Sequence, residues 1–487
     1  MVAIVPKSKF KFKAPPMAHQ LVGLRRAWPL KEFAYFWEMG IGKTYEAINL
    51  AAARYKAGQI DACVIICPTS IKSIWYNDIE YDNPEDECEI KKFCPVDYSA
   101  WVYESGDKPV NWIREKKSEL KFFILGVESL SIERGQSMNA LDYFRRFHKF
   151  MCVIDESSRI KNWKAKRTEN VILVGGWADY RLILTGTPVT QGLEDLYGQF
   201  KFLNENIIGC KNYFVFRNKY CVMGGWKNKI ILGYQFQDHL LDKITPYVDC
   251  RTKKECLDLP EQVYPPPIIV QPTNEQKRVM KQLKDEFSME DQGKEITIST
   301  ILERTLRYQQ VIGGTFPFEE NGEYDTQPIS GGNPKLDAIL AYIEELSHGT
   351  KCIIWARFVP EIRYIIQALG DRWGEESVLG FYGATDKAQR PINSQAFQQD
   401  PKKRFIVSNQ TVGGYGQTWT AATYALYYSN TFSYEDRYQS ESRPHRKGQL
   451  YSVTYQDFEM AVPHDRMILT AVRKKRNLAK EVEESWT

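Results

Sequence analysis

The sequence predicts an α/β fold of two parallel-sheet lobes with helical insertions, and three observations predict it. A chain of 487 residues outruns one hydrophobic core, because cores stop growing near about 250 to 300 residues. In the first third, short β-rich apolar runs alternate with helical stretches, and each run closes in a polar turn bearing Gly or Pro. The same alternation restarts at "KCIIWARF", residues 351–358.

The first set of runs is "FAYFWEMG", "ACVIICPTS", "FFILGVESL", "FMCVIDES" and "YRLILTGTP". They read as strands of one parallel sheet, with their loops at the carboxyl edge where open α/β sheets hold ligands. The stretch 192–250 has helical apolar spacing and reads as a helical insertion. "RTKKECLDLPEQVYPPPIIVQP", 251–272, is Pro-rich and reads as an extended linker. Residues 274–310 read as helix and "TFPFEENGEYDTQPISGGNP" as loop. The second set of strands is "KCIIWARF", "SVLGFYG", "RFIVSNQT", "ATYALYYSN" and "YSVTYQDF", followed by a terminal helix from "PHDRMILTAV". The expected domains are lobe 1 over 1–258, including the insertion; a linker and helical insertion over 259–330; and lobe 2 over 331–487.

Apolar residues at 43% and charged residues at 26% exclude a mainly disordered chain. The longest apolar runs fall far short of the roughly 20 residues that span a bilayer, so no membrane is expected. "MVAIVPKSKFKFKAPP" reverses the basic-then-apolar order of a signal peptide, which predicts an intracellular chain. Ten cysteines without a CxxC pair read as core thiols rather than zinc ligands. A net charge of +4 leaves any polyanion to local basic patches.

In "WEMGIGKTYEAINLAAA", 37–53, a strand meets a glycine loop that opens a helix. Backbone amides around Gly40 and Gly42 make an anion site, Lys43 adds a point charge for outer phosphates, and Thr44 is placed to ligate Mg²⁺. Trp37 occupies the place of the first glycine in the full GxxxxGK[ST] pattern. In "CVIDESSRIKN", 152–162, an apolar strand ends in Asp155 and Glu156. The first suits Mg²⁺ and the second suits polarising a water, so the two motifs together point to nucleoside triphosphate hydrolysis. Arg443 and Arg446, three apart, are expected on one helical turn with a shared face.

"DESSRIKN" resembles the DEAH box of superfamily 2 helicases, in their Swi/Snf-like branch. "CPTSIKSIWYNDI", "LILTGTPVTQGLEDLY", "RTKKECLDLPEQ", "FYGAT", "GGYGQTWTAA" and "QSESRPHRKGQ" follow that branch's motifs in order. The resemblance covers almost the whole chain. It implies two RecA-like lobes with ATP in the cleft between them and DNA running across both. It also implies Gln20 at the adenine edge, Gly416 and Gln439 beside the nucleotide, Arg443 as a further catalytic arginine, Arg446 as an arginine finger, and Thr185 and Thr187 in a coupling motif.

Two departures stand out. Ser158 replaces the histidine that links the ATP site to the third motif, with Ser157 before it; a shorter hydroxyl link puts coupling to DNA in doubt while Asp155 and Glu156 remain. Asn409, Gln410 and Thr411 replace a Ser-Thr-Arg run. DNA contacts implied by the resemblance are Thr69, Ser129, Arg357 and Thr411, made mostly to phosphates. "KSKFKFK", 7–13, suits strand gripping by charge and stacking, although an edge strand with one solvated face is the plainer reading.

The reading is therefore a DNA-dependent ATPase that tracks along duplex or branched DNA and rearranges forks or junctions in replication, recombination or repair, with ATP and Mg²⁺ as cofactors. A strand-separating DNA or RNA helicase and an ATP-gated nucleic-acid clamp are the rivals. A bacterial or virus-infected bacterial cytoplasm is the expected setting, and a monomeric state is compatible with the reading.

Overall fold

The computed structural model describes residues 10–80, 87–115, 117–132, 135–225, 230–290, 298–320, 323–386 and 388–484. The chain divides into two compact units, one of residues 1–258 with 475–487 and one of residues 259–474.

The first unit carries strands β1 (Glu32–Trp37), β2 (Ala62–Cys67), β3 (Tyr98–Val102), β4 (Leu120–Gly126), β5 (Phe150–Asp155) and β6 (Tyr180–Leu184). The hairpin β7 (Cys221–Gly224) and β8 (Ile230–Tyr234) and the strand β9 (Val248–Arg251) follow. One sheet runs β3-β4-β2-β5-β6-β1-β9, parallel throughout. Its central strands β2, β4 and β5 are buried along their whole length, which is why they read as unbroken apolar runs. On one sheet face Val64, Phe123, Cys152 and Ile183 pack in one cluster with Phe200 and Leu203, and Ile65, Phe122 and Val153 of the alternate positions are buried too.

The second unit carries β10 (Gln262–Val263), β11 (Ile268–Val270), the hairpin β12 (Thr315–Glu320) and β13 (Glu323–Pro328), then β14 (Cys352–Trp355), β15 (Val378–Phe381), β16 (Phe405–Ser408), β17 (Tyr424–Tyr427) and β18 (Val453–Met460). Its sheet runs β10-β18-β17-β14-β16-β15, with β11 also on β18. Alternation by two is visible in β14: Cys352 and Ile354 enter one apolar cluster, Ile353 and Trp355 the opposite one. Both sheets are thus the α/β lobes that the sequence predicts.

The structure corrects the expected organisation in four places. The insertion 192–250 is not purely helical, since it contains the β7–β8 hairpin and runs into β9. Strand β9 escaped the pattern because it carries Asp249, which is fully buried and held by Arg26 at 2.7 Å and Arg251 at 3.2 Å. The stretch 315–328 is a hairpin rather than loop, and the Pro-rich linker supplies β10 and β11 to the second sheet. From Lys475 on, the terminal helix groups with the first unit, where Leu478 packs on the core.

Phe10–Lys13 forms no strand; Phe12 lies against Tyr45 with ring centroids 6.3 Å apart, and Lys13 donates to the carbonyl of Lys91. The rest of "KSKFKFK" lies outside the described residues. Nine of the ten cysteines are buried, and burial pushes thiols such as Cys63 and Cys152 well up. Among the described residues no helix is long and apolar enough to cross a membrane.

Candidate active site

Four neighbouring strands, β2, β5, β6 and β1, end at the same sheet edge and deliver the segments beginning Pro68, Glu156, Thr185 and Glu38. β4 adds the turn Val127–Ser131 beside them. The parallel register forces this gathering, because every strand exits on the same side.

Gly40 and Gly42 have φ of +86° and +96°, a region open to glycine at little cost. Helix Lys43–Lys56 starts directly from Gly42, so its first amides face the loop. A Cβ at Gly42 would lie 2.2 Å from Nε2 of Gln20, so the glycine leaves room for that carboxamide. Gln20 is buried and its Oε1 accepts from the Met17 amide at 2.8 Å. The Lys43 ammonium donates to the carbonyls of Trp37 at 2.8 Å and Glu38 at 3.3 Å. Trp37, the departure from the glycine pattern, is the last residue of β1; its Nε1 donates to Asp249 at 2.7 Å, and His19 packs against its ring. The indole is a strand anchor, and the loop proper starts after it.

Asp155 is buried. Its Oδ2 accepts from Trp75 Nε1 at 2.9 Å and its Oδ1 from the Glu156 amide at 3.0 Å. Burial pushes this carboxyl above the usual carboxylate range, and the nearby Lys43 charge pulls it back. Glu156 sits in left-handed backbone, φ 53° and ψ 60°, which costs a non-glycine residue about 1–2 kcal/mol. Such strain concentrates where a side chain must hold one orientation. The Thr44 hydroxyl and the Asp155 carboxylate are hard oxygen donors of the kind Mg²⁺ takes alongside phosphate oxygens.

The box and the third-motif segment are tied together. Thr185 and Thr187 are fully buried, with the Thr187 amide donating to Thr185 Oγ1 at 3.0 Å. Lys161 Nζ donates to Thr190 Oγ1 at 2.6 Å. Asp195 Oδ2 accepts from the Thr190 amide, the Thr190 hydroxyl and the Gln191 amide at 2.7–2.8 Å. Ser157 and Ser158 are both buried, and the Ser157 hydroxyl donates to Gln199 Oε1 of helix Asp195–Ile208 at 2.7 Å.

Of the expected DNA contacts in this unit, Thr69 is exposed; its amide and hydroxyl donate to Glu128 Oε2 at 3.0 and 2.7 Å. Ser129 Oγ donates to the Gly126 carbonyl at 2.7 Å.

In the second unit Arg443 and Arg446 lie in turns beyond helix Tyr434–Glu441, so they do not share a helical face. Pro444 between them cannot continue a helix. They converge instead on one acceptor: both guanidinium groups donate to the Gln417 carbonyl at 2.9 Å. Arg443 is buried and also donates to the Gln439 carbonyl at 3.0 Å, whereas Arg446 is half-buried and reaches Thr418 Oγ1 at 3.0 Å. Gln439 is fully buried and its Nε2 has no hydrogen-bond partner among the described residues. Gly416 has a φ of +73° in the same turn as Gln417. Arg357 donates to Gln309 Oε1, its backbone amide is held by Ser429 Oγ at 2.7 Å, and Thr411 is exposed on the short helix Gln410–Gly413.

Sequence reasoning missed Trp75, Glu128, Asp195 and Gln199 as partners. Trp75 stood inside a motif already singled out, and an indole there was its one signal. Asp195 also stood inside a quoted motif and bonds within it, whereas Glu128 and Gln199 reveal themselves through contacts with Thr69 and Ser157 on other segments.

A SNF2-related domain matches residues 36–313 and a helicase conserved C-terminal domain matches 334–448. The chain belongs to the SNF2-related family. This SNF2-related chain is 23% identical over 520 residues to lymphoid-specific helicase of Homo sapiens, covering 91% of itself and 59% of that protein. It is 23% identical over 422 residues to putative ATP-dependent helicase/translocase YwqA of Bacillus subtilis (strain 168), covering 85% and 42%. It is 26% identical over 244 residues to TATA-binding protein-associated factor 172 of Homo sapiens, covering 46% and 12%. The SNF2-related chain thus spans less than two thirds of each of these relatives. The solved Sulfolobus solfataricus SWI2/SNF2 ATPase core in complex with dsDNA aligns over 97% of this chain and 94% of that one, with 23% identity and a TM-score of 0.42.

Proposed function

We propose that this chain is an ATP-driven DNA translocase that tracks along duplex or branched DNA and remodels it. The observation that carries the reading is the meeting of the glycine loop and Asp155–Glu156 at one sheet edge, close enough for the Lys43 charge to act on the Asp155 carboxyl.

In this reading the loop amides and Lys43 hold the outer phosphates, and Gln20 reads the base from its place against Gly42. Thr44 and Asp155 would hold Mg²⁺, which supplies charge neutralisation between phosphates. Glu156, fixed by its strained backbone, orients the attacking water. Arg446, the more accessible of the two arginines, supplies positive charge to the transition state, while Arg443 and Gln439 shape the turn that presents it.

Thr69 and Ser129 at the same edge, with Arg357 and Thr411 on the second unit, supply phosphate contacts. Such contacts position a duplex without reading sequence, which suits a tracking motor. A motor that drags a junction re-forms one pair for each it breaks, whereas plain unwinding must supply about 1.4 kcal/mol of stacking per step without return. Fork and junction rearrangement is therefore the favoured output.

ATPase rates with no nucleic acid, single strand, plain duplex, branched DNA and RNA test the reading. Stimulation by duplex and branched DNA supports it and rejects the low-turnover clamp. Stimulation by RNA alone overturns it.

A further inference from the structure

We infer that Gln199 is a positioning residue that relays between the Asp155–Glu156 box and the Thr185–Thr190 segment, replacing with a serine–glutamine pair the link a single longer side chain would make. The inference rests on the ATPase reading above and concerns how that site communicates.

The relay is continuous in hydrogen bonds. Ser157, one residue beyond Glu156, donates its hydroxyl to Gln199 Oε1 at 2.7 Å. Gln199 Nε2 then donates to the carbonyl of Pro188 at 2.8 Å and, within its own helix, to that of Asp195 at 3.0 Å. Ser157 and Gln199 are both fully buried, so no water substitutes for either partner without cost. A carboxamide is suited to the task because one end accepts while the other donates, so both ends are satisfied in one fixed orientation.

The surroundings hold that orientation. A Cβ at Gly198 would lie 2.3 Å from the Ile160 carbonyl, so helix Asp195–Ile208 is seated directly on the backbone of the box segment. Lys161 to Thr190, with Thr190 on Asp195, makes a second tie between the same two segments. The segment so held contains Thr187, whose buried hydroxyl has no hydrogen-bond partner among the described residues. A shift at Glu156 is therefore passed through Ser157 and Gln199 to Pro188, the residue after Thr187. An inert buried glutamine with satisfied bonds is the alternative, and it makes a different prediction.

The test uses Gln199→Leu, which removes both ends of the relay, and Ser157→Ala, which deletes only a hydroxyl. Amide hydrogen exchange of the segment 187–191 is followed with and without a non-hydrolysable ATP analogue and without DNA. In the unsubstituted chain the analogue changes protection of this segment; in both variants that change is lost while the analogue still binds. ATPase stimulation by duplex DNA should fall about tenfold in each, and the double variant should be no worse than either, because both residues serve one link. Persistence of the exchange response in both variants, or its absence from the unsubstituted chain, overturns the relay. An intact exchange response in a chain that duplex DNA fails to stimulate would instead overturn the DNA reading and leave the relay standing. Should Gln199→Leu fail to bind the analogue, Ser157→Ala decides the same question.

Discussion

Trp75 donates its indole N–H to Oδ2 of Asp155 at 2.9 Å, joining a segment that begins at the exposed Thr69 to the carboxylate proposed to hold Mg²⁺. Both groups are buried, and with the Glu156 amide on Oδ1 the bond fixes the orientation of the Asp155 carboxylate.

Trp75→Phe keeps most of the ring and removes the donor. Loss of a partner behind a metal ligand typically costs about 10–100-fold in metal affinity or activity. The Mg²⁺ concentration for half-maximal ATPase should rise by about tenfold or more, checked by Mg²⁺ titration at saturating ATP. An unchanged titration would show that the indole packs without tuning the carboxylate.

Lys43→Ala and Glu156→Gln should separate binding from chemistry. The first removes the charge proposed to face the outer phosphates and should raise the dissociation constant for ATP. The second leaves binding near normal and lowers turnover by at least about 100-fold, because its effect falls on the chemical step. Nucleotide binding by calorimetry beside steady-state ATPase checks both.

Arg443→Ala and Arg446→Ala should differ in kind. Arg443 is buried and donates to the Gln439 carbonyl, whereas Gln417 keeps its bond from Arg446, so loss of Arg443 destabilises the second unit by about 1–3 kcal/mol for the one acceptor left bare. Arg446 is half-buried, and its loss should leave the melting temperature nearly unchanged while cutting turnover about 10³-fold. Thermal unfolding and kcat, measured together, distinguish the two.

Glu128 holds both donors of Thr69 with one carboxylate oxygen, which is what a DNA phosphate at that place would do. Glu128→Gln removes a negative charge that a phosphate must displace. It should tighten duplex binding at low salt by about 1 kcal/mol, with the gain shrinking as salt rises. Fluorescence anisotropy at two salt concentrations checks it, and weaker binding would show that Glu128 organises Thr69 for DNA rather than competing with it.

The strands that build the site were legible because they are buried on both faces. "ACVIIC" and "FMCVID" announce themselves as unbroken apolar runs. Strand β9 was illegible because its buried Asp249 is neutralised by Arg26 and Arg251, one of them more than 200 positions away. The carboxylate pair and the glycine loop were legible because their chemistry demands particular residue types next to one another. The helical face expected of Arg443 and Arg446 failed at Pro444, a breaker visible in the sequence. The tie between Ser157 and Gln199 was illegible because no local pattern pairs two positions 42 apart.

The central claim is directional, ATP-consuming movement along duplex DNA, and displacement of a triplex-forming third strand from a linear duplex tests it most directly. With the chain, Mg²⁺ and ATP, the third strand should be released while the underlying duplex stays paired, and Glu156→Gln should abolish release without abolishing DNA binding. Efficient unwinding of a tailed duplex under the same conditions, with the third strand left in place, would contradict the account.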